Sequence, residues 1–83
     1  MSAIDNLDPT EVAILKFLAE KRTATSGLIA QDLQINAVKI DYYLGRLEQA
    51  YFVAGSHFYT GRQSTYQLGQ KGREFLVVNN LID

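Results

Sequence analysis

Cysteine is absent from the 83 residues. That one absence excludes disulfides, thiolate metal sites and cysteine nucleophiles together. Proline occurs once, and neither a low-complexity stretch nor an internal repeat marks a linker or a second domain. No apolar run comes near the roughly 20 residues that span a bilayer, so no membrane contact is expected. The N-terminal Met1-Ser2-Ala3-Ile4-Asp5 lacks a basic segment followed by an apolar one; no secretory signal is expected, and a cytoplasmic placement follows. Histidine is also scarce. His57 stands without cysteines or an acidic cluster beside it in sequence, which makes a poor metal site. No nucleophile, base and orienting acid fall at a telling spacing, so the sequence points away from an enzyme and from any cofactor.

What is present is an ordinary globular balance, 47% hydrophobic and 20% charged, in one expected domain spanning residues 1–83. A chain of this size buries only about 60% of its unfolded surface, so its core is thin. The formal net charge is −1, but its distribution is uneven. Residues 1–35 carry three basic and five acidic side chains; residues 36–73 carry five basic (Lys39, Arg46, Arg62, Lys71, Arg73) against two acidic (Asp41, Glu48). A basic middle between acidic ends is the asymmetry expected where one region meets a polyanion.

The periodicity predicts helix, extended rung, helix, helix, strand, strand, helix. Asp8, Pro9 and Glu11 make a capping box with proline at the first helical position, and Leu7 can staple onto Val12. The apolar face then runs Val12, Leu15, Leu18 and Ala19, widened by Ile14 and Phe17, and fades at Lys21-Arg22. Thr23-Ala24-Thr25 reads as a single extended rung. Ser26 is expected to cap a second helix over Gly27–Leu33, and Asn36 a third over Ala37–Ala50, whose inward stripe is Ile40, Tyr43, Leu44 and Leu47. Phe52 to Tyr59 and Ser64 to Leu68 read as two strands around a turn at Thr60-Gly61-Arg62-Gln63. A last helix is expected over Gln70–Asn80. Two close helices followed by a hairpin give the α+β winged helix-turn-helix plan: a three-helix core, a two-stranded wing with a short third strand, and a C-terminal helix.

In that plan the helix over 37–50 is the recognition helix. Its outward face carries Val38, Lys39, Asp41, Tyr42, Gly45, Arg46 and Gln49, with Asn36 offering backbone donors at its start. An α-helix fits the major groove of duplex DNA, where Lys39 can donate to guanine or phosphate, Asp41 can accept from a cytosine amino group, and Tyr42 can touch a thymine methyl. The wing, about residues 59–65, would set Arg62 and Gln63 against the minor groove or backbone. The bland readings are a solvated helix face and a solubilising turn. Ala30 suits the helix crossing, and Gln34 stands where the turn usually has glycine. The aromatics Tyr42, Tyr43, Tyr51, Phe52, Phe58, Tyr59 and Tyr66 are expected to pack helix on hairpin rather than stack single strands, with Tyr42 pointing outward. Phe75, Leu76, Val78, Leu81 and Ile82 ring the last helix with apolar groups. Such a helix wants burial on every side, so these five are the candidate homodimer interface, set against a merely wrapped tail.

Two stretches carry a resemblance. Leu47-Glu48-Gln49-Ala50-Tyr51-Phe52-Val53, and Gly61-Arg62 followed by Tyr66-Gln67-Leu68-Gly69-Gln70-Lys71-Gly72-Arg73, resemble the recognition-helix end and the wing exit of MarR-type and PadR-type winged-helix transcriptional regulators. The likeness covers about residues 8–76. Tyr51 replaces the glycine and Gly69 the threonine of that pattern. The resemblance implies a dimeric, double-stranded DNA-binding regulator whose terminal helices pair. The effector, if the chain takes one, is not legible. The alternative on the same fold is a protein-interaction or adaptor module without DNA binding, since fold does not fix function.

Overall fold

The computed structural model describes residues 7–57 and 64–82. Its elements run α1 (Pro9–Lys21), β1 (Thr23–Thr25), α2 (Ser26–Leu33), α3 (Ala37–Gln49), β2 (Val53–Ser56), β3 (Thr65–Leu68) and α4 (Gln70–Val78). This is a four-helix, three-stranded α+β winged-helix arrangement. The expected order holds throughout, with small shifts of boundary. Thr25 rather than Ser26 caps α2, its Oγ1 accepting from the Leu28 amide at 3.1 Å, so Ser26 is the first helical residue. The last helix stops at Val78, two residues short of the expectation.

Local chemistry sets the helix starts. Asp8 accepts from the Thr10 amide at 2.9 Å and Glu11 reaches back to the Asp8 amide at 3.0 Å, completing the capping box. Asn36 Oδ1 accepts from the Val38 amide at 2.8 Å and opens α3.

The helix ends are less usual. Gln34, Tyr51 and Asn80 all adopt positive φ, at 57°, 68° and 55°. After each of them the next amide reaches back to a carbonyl five residues earlier: Ile35 to Ala30, Phe52 to Leu47 and Leu81 to Leu76. These are Schellman closures, which ordinarily take glycine at the left-handed position. Among the described residues the chain makes three of them, none with glycine. Tyr51 is 70% exposed, so its ring contributes little burial to offset the backbone strain. Tyr51→Gly is therefore expected to raise stability by about 1 kcal/mol, read as a higher urea midpoint with unchanged slope. An unchanged or lower midpoint would show that Tyr51 is not strained.

The short rung becomes a real strand. β1 pairs antiparallel with β3 and so does β2, giving the order β1-β3-β2. In this register Ala24 faces Tyr66 and Gly55 also faces Tyr66. One core lies between the helices and the sheet, built on Ile14, Leu15, Leu18, Ile29, Ile40, Leu44, Leu47, Val53 and Leu76. Leu7 and Val12, the expected staple pair, sit half-buried at its edge. Phe52 and Phe75 meet edge to face, ring centres 6.2 Å apart. Among the described residues no helix is long and apolar enough to cross a membrane.

Candidate nucleic-acid interface

Helix α3 packs one side against the core and leaves the other to solvent. Ile40, Leu44 and Leu47 are wholly inward, while Asn36, Val38, Lys39, Asp41, Tyr42, Gly45 and Gln49 are exposed. Val38 and Tyr42, one turn apart, are 76% and 62% exposed. Lys39 and Asp41 flank them with one charge of each sign. The side chain of Asn36 is spent on the helix cap, which leaves its backbone to meet a ligand. Ala30, the residue expected at the helix crossing, is buried.

Arg46 is exposed on the same helix and also bonds to α1. Its Nε donates to Glu11 Oε2 at 3.1 Å, and the Glu11 side chain is 1% exposed. That hydrogen bond, and then the Glu11 charge, hold the Arg46 guanidinium above its ordinary pKa. Beside it Tyr43 donates to Asp8 Oδ2 at 3.3 Å. Burial, with the Asp8 carboxylate behind it, pushes the Tyr43 hydroxyl up.

A second polar cluster joins α3 to the foot of the wing. His57 Nε2 lies 3.0 Å from Glu48 Oε2, and its Nδ1 lies 2.7 Å from Ser64 Oγ. His57 also meets the Tyr66 ring edge to face at 5.8 Å. Gly55 makes room for this, since a Cβ there would lie 2.8 Å from His57 Nε2 and 2.9 Å from Glu48 Oε2. Desolvation, then the charges of Glu48 and Asp41, raise the Tyr66 hydroxyl. The histidine that looked isolated in the sequence thus bridges the end of β2, the entry to β3 and the last turn of α3. Nine residues separate it from its acid, a spacing that no single element predicts. The wing residues Arg62 and Gln63, like Phe58 and Tyr59, lie outside the described residues.

The five residues offered as a dimer surface divide. Phe75 is 6% exposed and Leu76 fully buried, both inside this chain's own core, because α4 turns these two toward Phe52 and α1. A side chain enclosed in its own core cannot also face a partner, so these two are withdrawn from that surface. Val78 and Ile82 remain exposed, Leu81 is half-buried, and Val77 joins them on the outside. Of the aromatics, Phe52 packs in the core and Tyr43 and Tyr66 are half-buried, while Tyr51 joins Tyr42 on the surface. The left-handed turn at Tyr51 points its ring outward, against the expectation of core packing.

No family model and no curated protein matches the chain. Solved structures do. A ZitR variant from Lactococcus lactis is 25% identical with TM-score 0.77, over 90% of this chain and 51% of that one. Wild-type Lactococcus lactis ZitR in complex with DNA is 23% identical with TM-score 0.77, over 92% and 52%. The transcriptional regulator Tm0710 from Thermotoga maritima is 16% identical with TM-score 0.79, over 88% and 52%. The chain spans about half the length of these structures. These neighbours are MarR-family transcriptional regulators, and the chain shares their winged-helix fold.

Proposed function

We propose that the chain binds double-stranded DNA sequence-specifically as a transcriptional regulator, with α3 in the major groove and the wing, about residues 59–65, along the minor groove or backbone. The carrying observation is the open first half of α3. Asn36, Val38, Lys39, Asp41 and Tyr42 stand on one solvent-facing surface while Ile40 and Leu44 anchor the other side. In a major groove the start of such a helix reaches base edges. Lys39 donates to guanine or phosphate, Val38 and Tyr42 offer apolar contact to thymine methyls, and Asp41 accepts from a cytosine amino group. Arg62 and Gln63 extend the contact from the wing. ZitR, whose fold the chain shares, has been captured on DNA, which supports this use of the fold. Two copies, paired through the outer side of α4 and the tail (Val77, Val78, Leu81, Ile82), would present two such helices to half-sites about 34 Å apart.

The experiment is a salt titration on a mixed-sequence duplex. Log affinity is expected to fall linearly with log salt, by about 0.9 per phosphate contact. Lys39→Ala is expected to reduce the slope by about 0.9 if it meets phosphate, or to relax discrimination at one base position if it meets guanine. Unchanged binding in that variant would remove Lys39 from the interface. The second reading is a protein-interaction module. It is favoured by one observation: α3 carries Asp41 in its open face while Glu11 neutralises Arg46. Absence of duplex binding at low salt would select it.

A further inference from the structure

We propose, building on the reading that α3 meets duplex DNA, that Glu11 is a positioning residue that clamps the recognition helix through Arg46 and withholds Arg46 from the phosphate backbone. The Glu11 side chain is 1% exposed and both of its oxygens are engaged. Oε1 accepts from the Asp8 amide at 3.0 Å, and Oε2 accepts from Arg46 Nε at 3.1 Å. One carboxylate thus closes the start of α1 and grips α3 a separation of 35 residues away. Tyr43, one turn earlier on α3, donates to Asp8 Oδ2 at 3.3 Å. Two side chains of α3 on one flank are held by Asp8, which caps α1, and Glu11 in its first turn. These contacts add to the burial of Ile40, Leu44 and Leu47 in holding the rotation of α3 about its own axis.

The same contact has an electrostatic consequence. Arg46 is half-exposed, near enough to solvent to reach a phosphate if it were released. Paired with a buried carboxylate, it contributes little net charge to the surface. Among the described residues, Lys39 is then the one cation of α3 without an acidic partner. Phosphate contacts raise affinity for every sequence alike, whereas base contacts discriminate. A recognition helix with one of its two cations held back gives up general affinity and keeps its reading face.

The test uses the full chain and a mixed-sequence duplex, with affinity followed between about 50 and 200 mM salt. Glu11→Gln keeps an oxygen for the Asp8 amide and loses the charge that holds Arg46. Its slope is expected to steepen by about 0.9, so that its affinity relative to wild type is about 3.5-fold greater at the low-salt end than at the high. The double variant E11Q/R46Q is expected to return to the wild-type slope. Glu20→Gln, which removes an exposed carboxylate from the same helix, is expected to leave the slope alone and so separates the clamp from net charge. Should Glu11→Gln fold poorly, Arg46→Gln carries the test, and its slope is expected to match wild type. A slope reduced by about 0.9 in Arg46→Gln would place Arg46 on phosphate already and overturn the proposal. A lower melting point in Glu11→Gln with no change of slope would make Glu11 merely structural and overturn it as well. Absence of wild-type duplex binding sinks the DNA reading and this proposal together; wild-type binding with an unmoved Glu11→Gln slope sinks this proposal alone.

Discussion

Gly72→Ala is expected to destabilise the domain by about 3 kcal/mol, against a total of roughly 4–12 kcal/mol for a chain of this length. Gly72 is buried in the first turn of α4. A Cβ there would sit 2.2 Å from the Phe52 carbonyl oxygen and 3.1 Å from Leu68 Cδ2. The obstacle is backbone, so no rotamer change relieves it. The Phe52 carbonyl is itself fixed, since it accepts from the Gly69 amide at 2.8 Å while the Phe52 amide donates to Leu47 at 2.8 Å. To admit a methyl group α4 must move away from the α3–β2 junction, and Phe75 and Leu76 leave the core with it. Alanine's better helix propensity returns only about 1 kcal/mol. Gly45→Ala is the control. It lies mid-helix in α3 with nothing within 4 Å of its would-be Cβ, so that variant is expected to gain about 1 kcal/mol. Denaturant midpoints of the two variants should move in opposite directions; equal shifts would refute the close packing of α4.

Leu44→Ala is expected to cost about 3 kcal/mol, within the range for a fully buried leucine. Leu44 is wholly enclosed, at the centre of the α3 stripe between Ile40 and Leu47. Its loss leaves a cavity directly beneath the open face of the same helix. Tyr42→Ala, one position into solvent from Tyr43, is expected to change stability by no more than about 0.5 kcal/mol. The pair therefore separates two functions of one helix. Thermal melts should fall for Leu44→Ala alone, while duplex affinity per folded molecule should fall for Tyr42→Ala. A large stability loss in Tyr42→Ala would mean that α3 is rotated from the orientation described.

Much of this was legible in the chain because it is local. Asp8, Pro9 and Glu11 mark the start of α1 at fixed spacings. Ile40, Leu44 and Leu47 give α3 its period, and the turn of α2 into α3 follows from Asn36. The winged-helix plan needs only those signals in order. What was not legible depends on how separate elements face each other. Glu11 reads as a capping residue and nothing in its neighbourhood announces Arg46. His57 looks solitary because Glu48 and Ser64 reach it from two other elements. Phe75 and Leu76 look like interface residues because the run from Phe75 to Val78, with Leu81 and Ile82, puts apolar groups on every side, and only the packing angle of α4 decides which side turns inward. The left-handed turns at Gln34 and Tyr51 were visible as missing glycines. That the chain keeps the Schellman closure with other residues, rather than ending its helices differently, required the backbone.

The most direct measurement of the central claim is amide chemical-shift mapping of the full chain as a mixed-sequence duplex is added at low salt. Shifts are expected at Asn36 to Tyr42 on α3 and at Arg62 and Gln63, with residues of α4 unmoved. Shifts confined to Val77, Val78 and Ile82, or no shifts at all, would contradict the assignment of α3 as the surface that reads DNA.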